Sequence, residues 1–390
     1  MRLSRFKQII FNLFKRLRLP LNALVITAIA FGLSHWIAYD LTSISAFAPM
    51  EKTLDFDFTD VYNTVAEQRA KRTLSDDIVI VSIDGCSREG ITEALDYVDY
   101  LNPAAIGLDV FFNYPAATDP ELITSLTQFP NLVFPVGLQM INGHASIFGS
   151  YFYDDISIEH KGVVNLSANS VRNVIRDFEP EYIVGNDTIR SFSAELARVA
   201  APEKFEALMA RGRSKETINY PSWEFEIIPA EALSNGDIPL EEVRQSIEGK
   251  VVLIGNIFDQ SDFHLTPIDE GMAGLLIHAR ALQTILDSCY IEETSEAISW
   301  VMAIALSFIF ILLVLVIKKR CAFEGCFVRF LQLALMYAFL VLGCNVFAHR
   351  GDYLNFAPTL LMLGLGMLAM DIWLGLLKAV KIHIHKNRKR

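Results

Sequence analysis

A mixed α/β domain with a mainly parallel central sheet and an antiparallel insertion, joined to four transmembrane α-helices, is the fold class this 390-residue sequence predicts. Three observations predict it. Apolar residues make up 52% of the chain, but the excess sits at the two ends, where four runs are long enough to cross a bilayer. Charge divides the same way: residues 1–39 carry six Lys/Arg and no acid, and residues 297–390 carry eleven basic and three acidic residues, leaving a net −25 on residues 40–296. Between the apolar runs, β-branched strand patterns alternate with helical ones, as parallel pairing requires.

In chain order, residues 1–20 form a basic leader and residues 21–39 the first span. No small-residue cleavage site follows His35-Trp36, so this span reads as an uncleaved anchor. Residues 40–296 form the acidic domain, approached through a juxtamembrane helix over 54–70. The run Asp76 to Asp84 is a buried strand, residues 90–101 a helix stopped by Asn102-Pro103, and Ala105–Phe112 a second strand. Strand, helix and strand with short joints imply parallel pairing and a right-handed crossover. Residues 121–128 continue as helix and 131–139 as a third strand. Residues 146–184 alternate as antiparallel ribbon, covering 146–153, 161–166 and 171–180. Helices follow over 191–200 and 202–211, strands over 217–220 and 225–229, and mostly helix over 230–248. Residues 250–255 are the last core strand and 275–287 the closing helix.

The remaining spans are 297–317, 330–348 and 354–377, separated by the basic loop 318–329 and the turn 349–353, and followed by the basic tail 378–390. Lys and Arg are retained on the cytoplasmic side of a bilayer. Lys318, Lys319, Arg320, Arg329, Lys378, Lys381 and the run 386–390 then share the cytoplasm with the leader. Both termini are expected inside a bacterial inner membrane, with residues 40–296 outside. A net −25 disfavours binding to nucleic acid or anionic headgroups, whereas the basic segments suit anionic lipid. Cys86 and Cys289 are the two outer cysteines, and nothing in their spacing requires a disulfide.

The stretches "DDIVIVSID" (76–84), "AAIGLDVFF" (104–112), "SIEGKVVLIGNIFDQSDFHLTP" (246–267) and "GLLIHARALQTIL" (274–286), followed at once by a membrane helix, carry a resemblance. Together they resemble the CHASE2 family of bacterial extracytoplasmic sensor domains over roughly residues 50–295, and the three trailing spans match as well. The resemblance implies a sensory module, which in the family usually precedes a cytoplasmic kinase or cyclase. Thirteen residues follow Leu377, so the output is expected from a separate cytoplasmic protein docking on 318–329 and 378–390. A homo-oligomer stays open, and the alternative is a structural subunit without ligand. The sequence departs from the family at Gly85–Gly90, where a Trp/Pro-rich stretch is usual, and at Leu276, where an acid is common.

Asp84, Asp109 and Gly255 each end a predicted parallel strand, where open α/β sheets form their ligand crevice. Residues 256–269 would overhang it and add Asp259, Asp262, His264 and Asp269. These acceptors suit a cation or an amine-bearing small molecule; strand-end aspartates also serve simply as caps. Ligand-binding candidates are therefore Asp84, Asp109, Gly255, Asp262 and His264. His278 reads as an interior histidine. No nucleophile elbow, phosphate loop, zinc spacing or haem motif occurs, so neither a catalytic residue nor a metal or other cofactor is assigned. Asp371 is the one acid within a span, expected at headgroup level beside Trp373 and paired to Lys378 or the basic loop.

Overall fold

The computed structural model describes residues 2–40, 57–141, 143–168, 172–221, 223–318 and 324–387. It forms two compact units, Asn63–Ile291 and a second made of Met1–Tyr62 with Glu292–Arg390. In chain order the elements are α1 (Arg2–His35), α2 (Phe58–Arg69), β1 (Thr73–Ser82), α3 (Arg88–Tyr100), β2 (Ala105–Asp109), α4 (Asp119–Gln128), β3 (Leu132–Ile141), β4 (His144–Phe148) and β5 (His160–Val163). There follow β6 (Asp177–Phe178), β7 (Glu181–Val184), β8 (Asp187–Arg190), α5 (Phe192–Ala200), α6 (Pro202–Ala210), β9 (Glu216–Thr217), β10 (Trp223–Pro229), α7 (Ala230–Ser234) and α8 (Leu240–Ile247). The chain continues with β11 (Val251–Gly255), β12 (Phe263–His264), β13 (Met272–Ala273), α9 (Gly274–Leu286), β14 (Glu292–Glu293), α10 (Glu296–Ile317), α11 (Glu324–Arg350), β15 (Asp352–Tyr353) and α12 (Ala357–Asn387).

Among the described residues of the first unit, the main sheet runs β10-β1-β11-β2-β3-β4, with β5 also paired to β3. All its pairings are parallel except β3 with β4. The central strands are buried on both faces, which is why they read as unbroken apolar runs rather than alternating ones. Ile78 and Ile80 of β1 pack with Phe192, Leu196, Leu275 and Leu282 on one face. Val79 and Val81 pack with Leu95, Val98, Leu122 and Val243 on the other. The result is a sheet between two helical layers. Ser87 caps α3 by accepting from the Gly90 amide at 3.2 Å, and Ser191 caps α5 through the Ala194 amide at 3.3 Å.

The sheet corrects three expectations. β1 and β2 are parallel but not neighbours, because β11 lies between them and hydrogen-bonds to both. That partner arrives some 140 residues later in the chain, so local pattern could not place it. β2 ends at Asp109 rather than Phe112, and the next residues turn towards the crevice. Residues 160–163 run parallel to β3, not as antiparallel ribbon, since the turn through Tyr153–Asp155 reverses the chain before β5. Gly162 makes that placement work: a Cβ there would lie 2.5 Å from Phe192 Cα. The predicted strand start at Val171 lies outside the described residues.

In the second unit, four helices are long and apolar enough to cross a membrane: Arg18–Asp40, Glu296–Ile317, Gly325–Arg350 and Ala357–Asn387. Ala23, Ile26 and Ala30 of α1 pack with Ala303, Phe310, Met362 and Ala369. Small residues at these contacts let the helices approach closely. Gln332 donates to the Leu363 carbonyl at 2.8 Å, and Trp373 Nε1 to Asn22 at 3.0 Å. The leader and the tail are helical extensions of α1 and α12 rather than separate segments, and the last span begins at Ala357, not Leu354. Asp371 is exposed and has no hydrogen bond or ion pair among the described residues. Lys378 stands seven residues further along the same helix, about 10 Å of rise, and no ion pair joins the two. Residues 319–323 and 388–390, with Lys319, Arg320 and most of the terminal basic run, lie outside the described residues.

Candidate functional site

Register builds the site. Gly255 pairs with Ser82 on one side and Asp109 on the other, so three strands end on one row. From that row the loop after β11 turns over the sheet, and a cavity of about 470 Å³ opens beside it. Its walls are Asp109 at the end of β2 with Val110 and Phe111 after it, Gly137 and Phe148 of the β3–β4 hairpin, Val164 to Leu166 after β5, Asn256, Asp259, Asp262 and His264 of the overhanging loop, and Gly274 and His278 of α9. A crevice at the carboxyl ends of parallel strands is the place where open α/β sheets bind ligands.

Of the five candidate residues, the fold brings Asp109, Asp262 and His264 to this cavity and leaves Asp84 and Gly255 out of its lining. The Asp84 carboxylate accepts from Ser82 Oγ at 2.6 Å, from the Ile257 amide at 2.9 Å and from the Phe258 amide at 3.0 Å. It is the clasp of the overhanging loop. Gly255 serves packing, with Leu275 and the Asp109 backbone close by. Asp269 likewise turns on its own loop, accepting from the Gly271 amide at 3.0 Å.

Asp262 holds two partners. One oxygen accepts from the Gly274 amide at 3.1 Å, at the first residue of α9, and the other lies 3.2 Å from His264 Nε2. Gly274 lets the carboxylate come this close, because a Cβ would stand 2.7 Å from it and the Asp262 side chain would have to shift. Asp109 is half-buried and carries no hydrogen bond from another described side chain or amide. Burial, and then the facing Asp262 carboxylate, push its carboxyl up to about 7, with His264 acting the other way. Asp259 goes the opposite way, held below the usual carboxylate range by bonds from the Ser261 hydroxyl and amide.

Four wall residues were not legible as site residues. Phe111 and Phe148 stack with centroids 5.4 Å apart and planes 26° from parallel, and the Phe148 ring lies directly over Gly137. Asn165 clamps the backbone of Leu138, accepting at 2.5 Å and donating at 3.2 Å. His278 is an interior histidine as expected, 5% exposed and edge-on to Phe192, yet it also lines the cavity. Its Nε2 meets the Val164 carbonyl at 3.2 Å, and burial pushes its pKa down to about 4. The Gly137–Phe148 pairing across the hairpin was the one available signal, and it depends on knowing the register. Cys86 and Cys289 are both free thiols. Among the described residues no group of three or more His, Cys, Asp or Glu side chains is placed to hold a metal ion.

The sequence model of the CHASE2 domain matches residues 36–318. The chain belongs to the CHASE2 family. The match runs from the end of the first span, through the whole α/β unit, to the end of α10. No curated protein and no solved structure matches the chain. CHASE2 is a sensory domain rather than a catalytic one, and together with the four apolar helices it makes this a membrane-anchored protein of sensory type.

Proposed function

We propose that this CHASE2 protein is an inner-membrane receptor whose α/β unit faces out of the cytoplasm and binds a small molecule in the Asp109–Asp262–His264 crevice. The observation that carries the reading is the convergence of the end of β2, the loop after β11 and the N-terminus of α9 on one cavity, with a carboxyl in its wall that has no hydrogen-bond partner among the described residues. The placement of Lys and Arg supports the orientation, with both termini inside. Transmission has a covalent route, since α9 carries Gly274 and His278 and residues 287–295 join it to α10. A ligand that engages Asp262 competes with the hydrogen bond at the start of α9, giving the bound and free states different energies at the element that leads into the membrane. The signal then passes to a separate cytoplasmic output protein docking on the basic segments 318–329 and 378–390.

The receptor reading is tested by thermal scanning of the full-length protein in mild detergent against a small-molecule library. A binder at a hundred times its Kd stabilises by about 2.7 kcal/mol, and the shift should vanish in Asp109→Asn and Asp262→Asn variants that still fold. Hits unaffected by both variants would move the site elsewhere. A cysteine placed at Ser146 should react with impermeant reagent added to whole cells; labelling only after lysis would invert the topology. In-cell crosslinking with and without residues 378–390 should recover a soluble partner from the intact chain alone. No partner from either chain would favour a structural subunit.

A further inference from the structure

We propose that the crevice binds an organic ammonium ion, its charge seated on Asp109 and its apolar body against Phe111 and Phe148. The inference deepens the receptor reading and rests on it.

The donors and acceptors left open in the cavity wall set the chemistry of its ligand. A carbonyl oxygen only accepts, so His278 Nε2 must carry the proton that meets Val164, and Nδ1 is left as a lone pair. No hydrogen bond reaches that nitrogen among the described residues, and the ring is 5% exposed where it lines the cavity. His264 Nε2 is turned to Asp262, and the Asn165 amide gives its oxygen and one of its two N–H groups to Leu138. What remains towards the cavity is the Asp109 carboxyl, the second oxygen of Asp259 and the His278 lone pair, beside the neutral Asn256 carboxamide, which can donate as well as accept. Among the described residues no Lys or Arg lines it. The carboxylates of this wall match a ligand that brings N–H donors and a positive charge, and an anion meets only neutral amides and the two carboxylates.

Two further observations narrow the class. The absence of a three-ligand cluster among the described residues disfavours a divalent metal. The stacked phenyl pair offers π faces that attract an ammonium and an apolar surface that takes its hydrocarbon part. About 470 Å³ suits a molecule of small-metabolite size. The groups facing Asp109 are Asp262 and His264 from the loop, with Asp259 and His278 completing the charged and titratable wall. Seating a cation there favours the Asp109 carboxylate, so binding releases protons near neutral pH.

The experiment is calorimetric titration of the full-length protein in detergent with phenethylammonium and benzyltrimethylammonium, beside 2-phenylethanol, phenylacetate and Ca²⁺. At least one ammonium probe should bind about tenfold or more tighter than 2-phenylethanol, and Asp109→Asn should lose about tenfold. Affinity should fall as pH drops below the Asp109 pKa, approaching tenfold per unit, and buffers of different ionisation enthalpy should report released protons. Phe148→Ala should weaken every aromatic probe and leave the melting curve cooperative. Equal binding of 2-phenylethanol, tighter binding of phenylacetate or Ca²⁺, or full affinity in Asp109→Asn would overturn the ammonium assignment. No ammonium binding at millimolar concentration would overturn it too. Should phenylacetate or 2-phenylethanol bind and lose affinity in Phe148→Ala, the receptor crevice stands and only its ligand class falls.

Discussion

The ends of β1 and β2 are one strand apart in the same sheet, and each carries an aspartate that sequence treats alike, Asp84 just past β1 and Asp109 as the last residue of β2. Asp84 accepts three hydrogen bonds and holds a loop. Asp109 accepts none among the described residues and faces a second carboxylate across a cavity. What separates them is the chain after β11: its amides at Ile257 and Phe258 turn to Asp84, while its side chains Asp259, Asp262 and His264 turn to Asp109. A strand-end acid is a clasp where backbone donors reach it and a site where they do not.

Substitution can break the comparison most directly at the clasp. Asp84→Ala leaves two loop amides without an acceptor, one of them on buried Ile257, and should cost about 2–3 kcal/mol in denaturant unfolding. A loss below about 1 kcal/mol would mean that water replaces the carboxylate and that the two aspartates differ little.

The next effect sharpens the other side. The folded Asp109 carboxyl titrates above its ordinary range, so its neutral form is favoured on folding and stability is lost as pH rises through about 7. Asp109→Asn should therefore gain on the wild type by about 1 kcal/mol between pH 6 and pH 8. His278 has the opposite sign: its folded pKa is depressed to about 4, so its contribution is present above pH 6.5 and is lost as pH falls towards 4. The variant should expose that acid-side loss undiluted. A constant difference between the two melting curves across pH would place Asp109 in a solvated, ordinary setting.

The smallest effect belongs to Asp371. Exposed and without a partner among the described residues, it should tolerate Asp371→Asn with less than about 0.5 kcal/mol change in detergent. A larger loss would reveal a contact with the basic loop.

Most elements of the α/β unit were legible because burial dictates residue type. The strands at 78–81, 132–136 and 251–255 are apolar on both faces, and the helices at 88–100 and 274–286 repeat every three to four residues. Boundaries set by caps, such as Ser87 and Ser191, came within a few residues. Half of the site was equally visible: Asp109, Asp262 and His264 are polar groups in motifs flanked by buried strands. The other half was hidden, since Phe111, Phe148 and Asn165 look like ordinary strand or loop residues until the hairpin register is known.

By itself, then, the sequence determined the membrane spans, the basic–acidic–basic layout, the α/β class and the family, because each is written in local composition or in contiguous motifs. Only the tertiary structure decided that β11 enters between β1 and β2, that β5 runs parallel, and that Asp84 and Asp109 part company. Those outcomes depend on hydrogen bonds between residues distant in sequence, 27 positions apart for β3 with β5 and more than a hundred for β11 with β1 and β2 and for Asp84 with its loop. No local pattern encodes which backbone amide a carboxylate will meet.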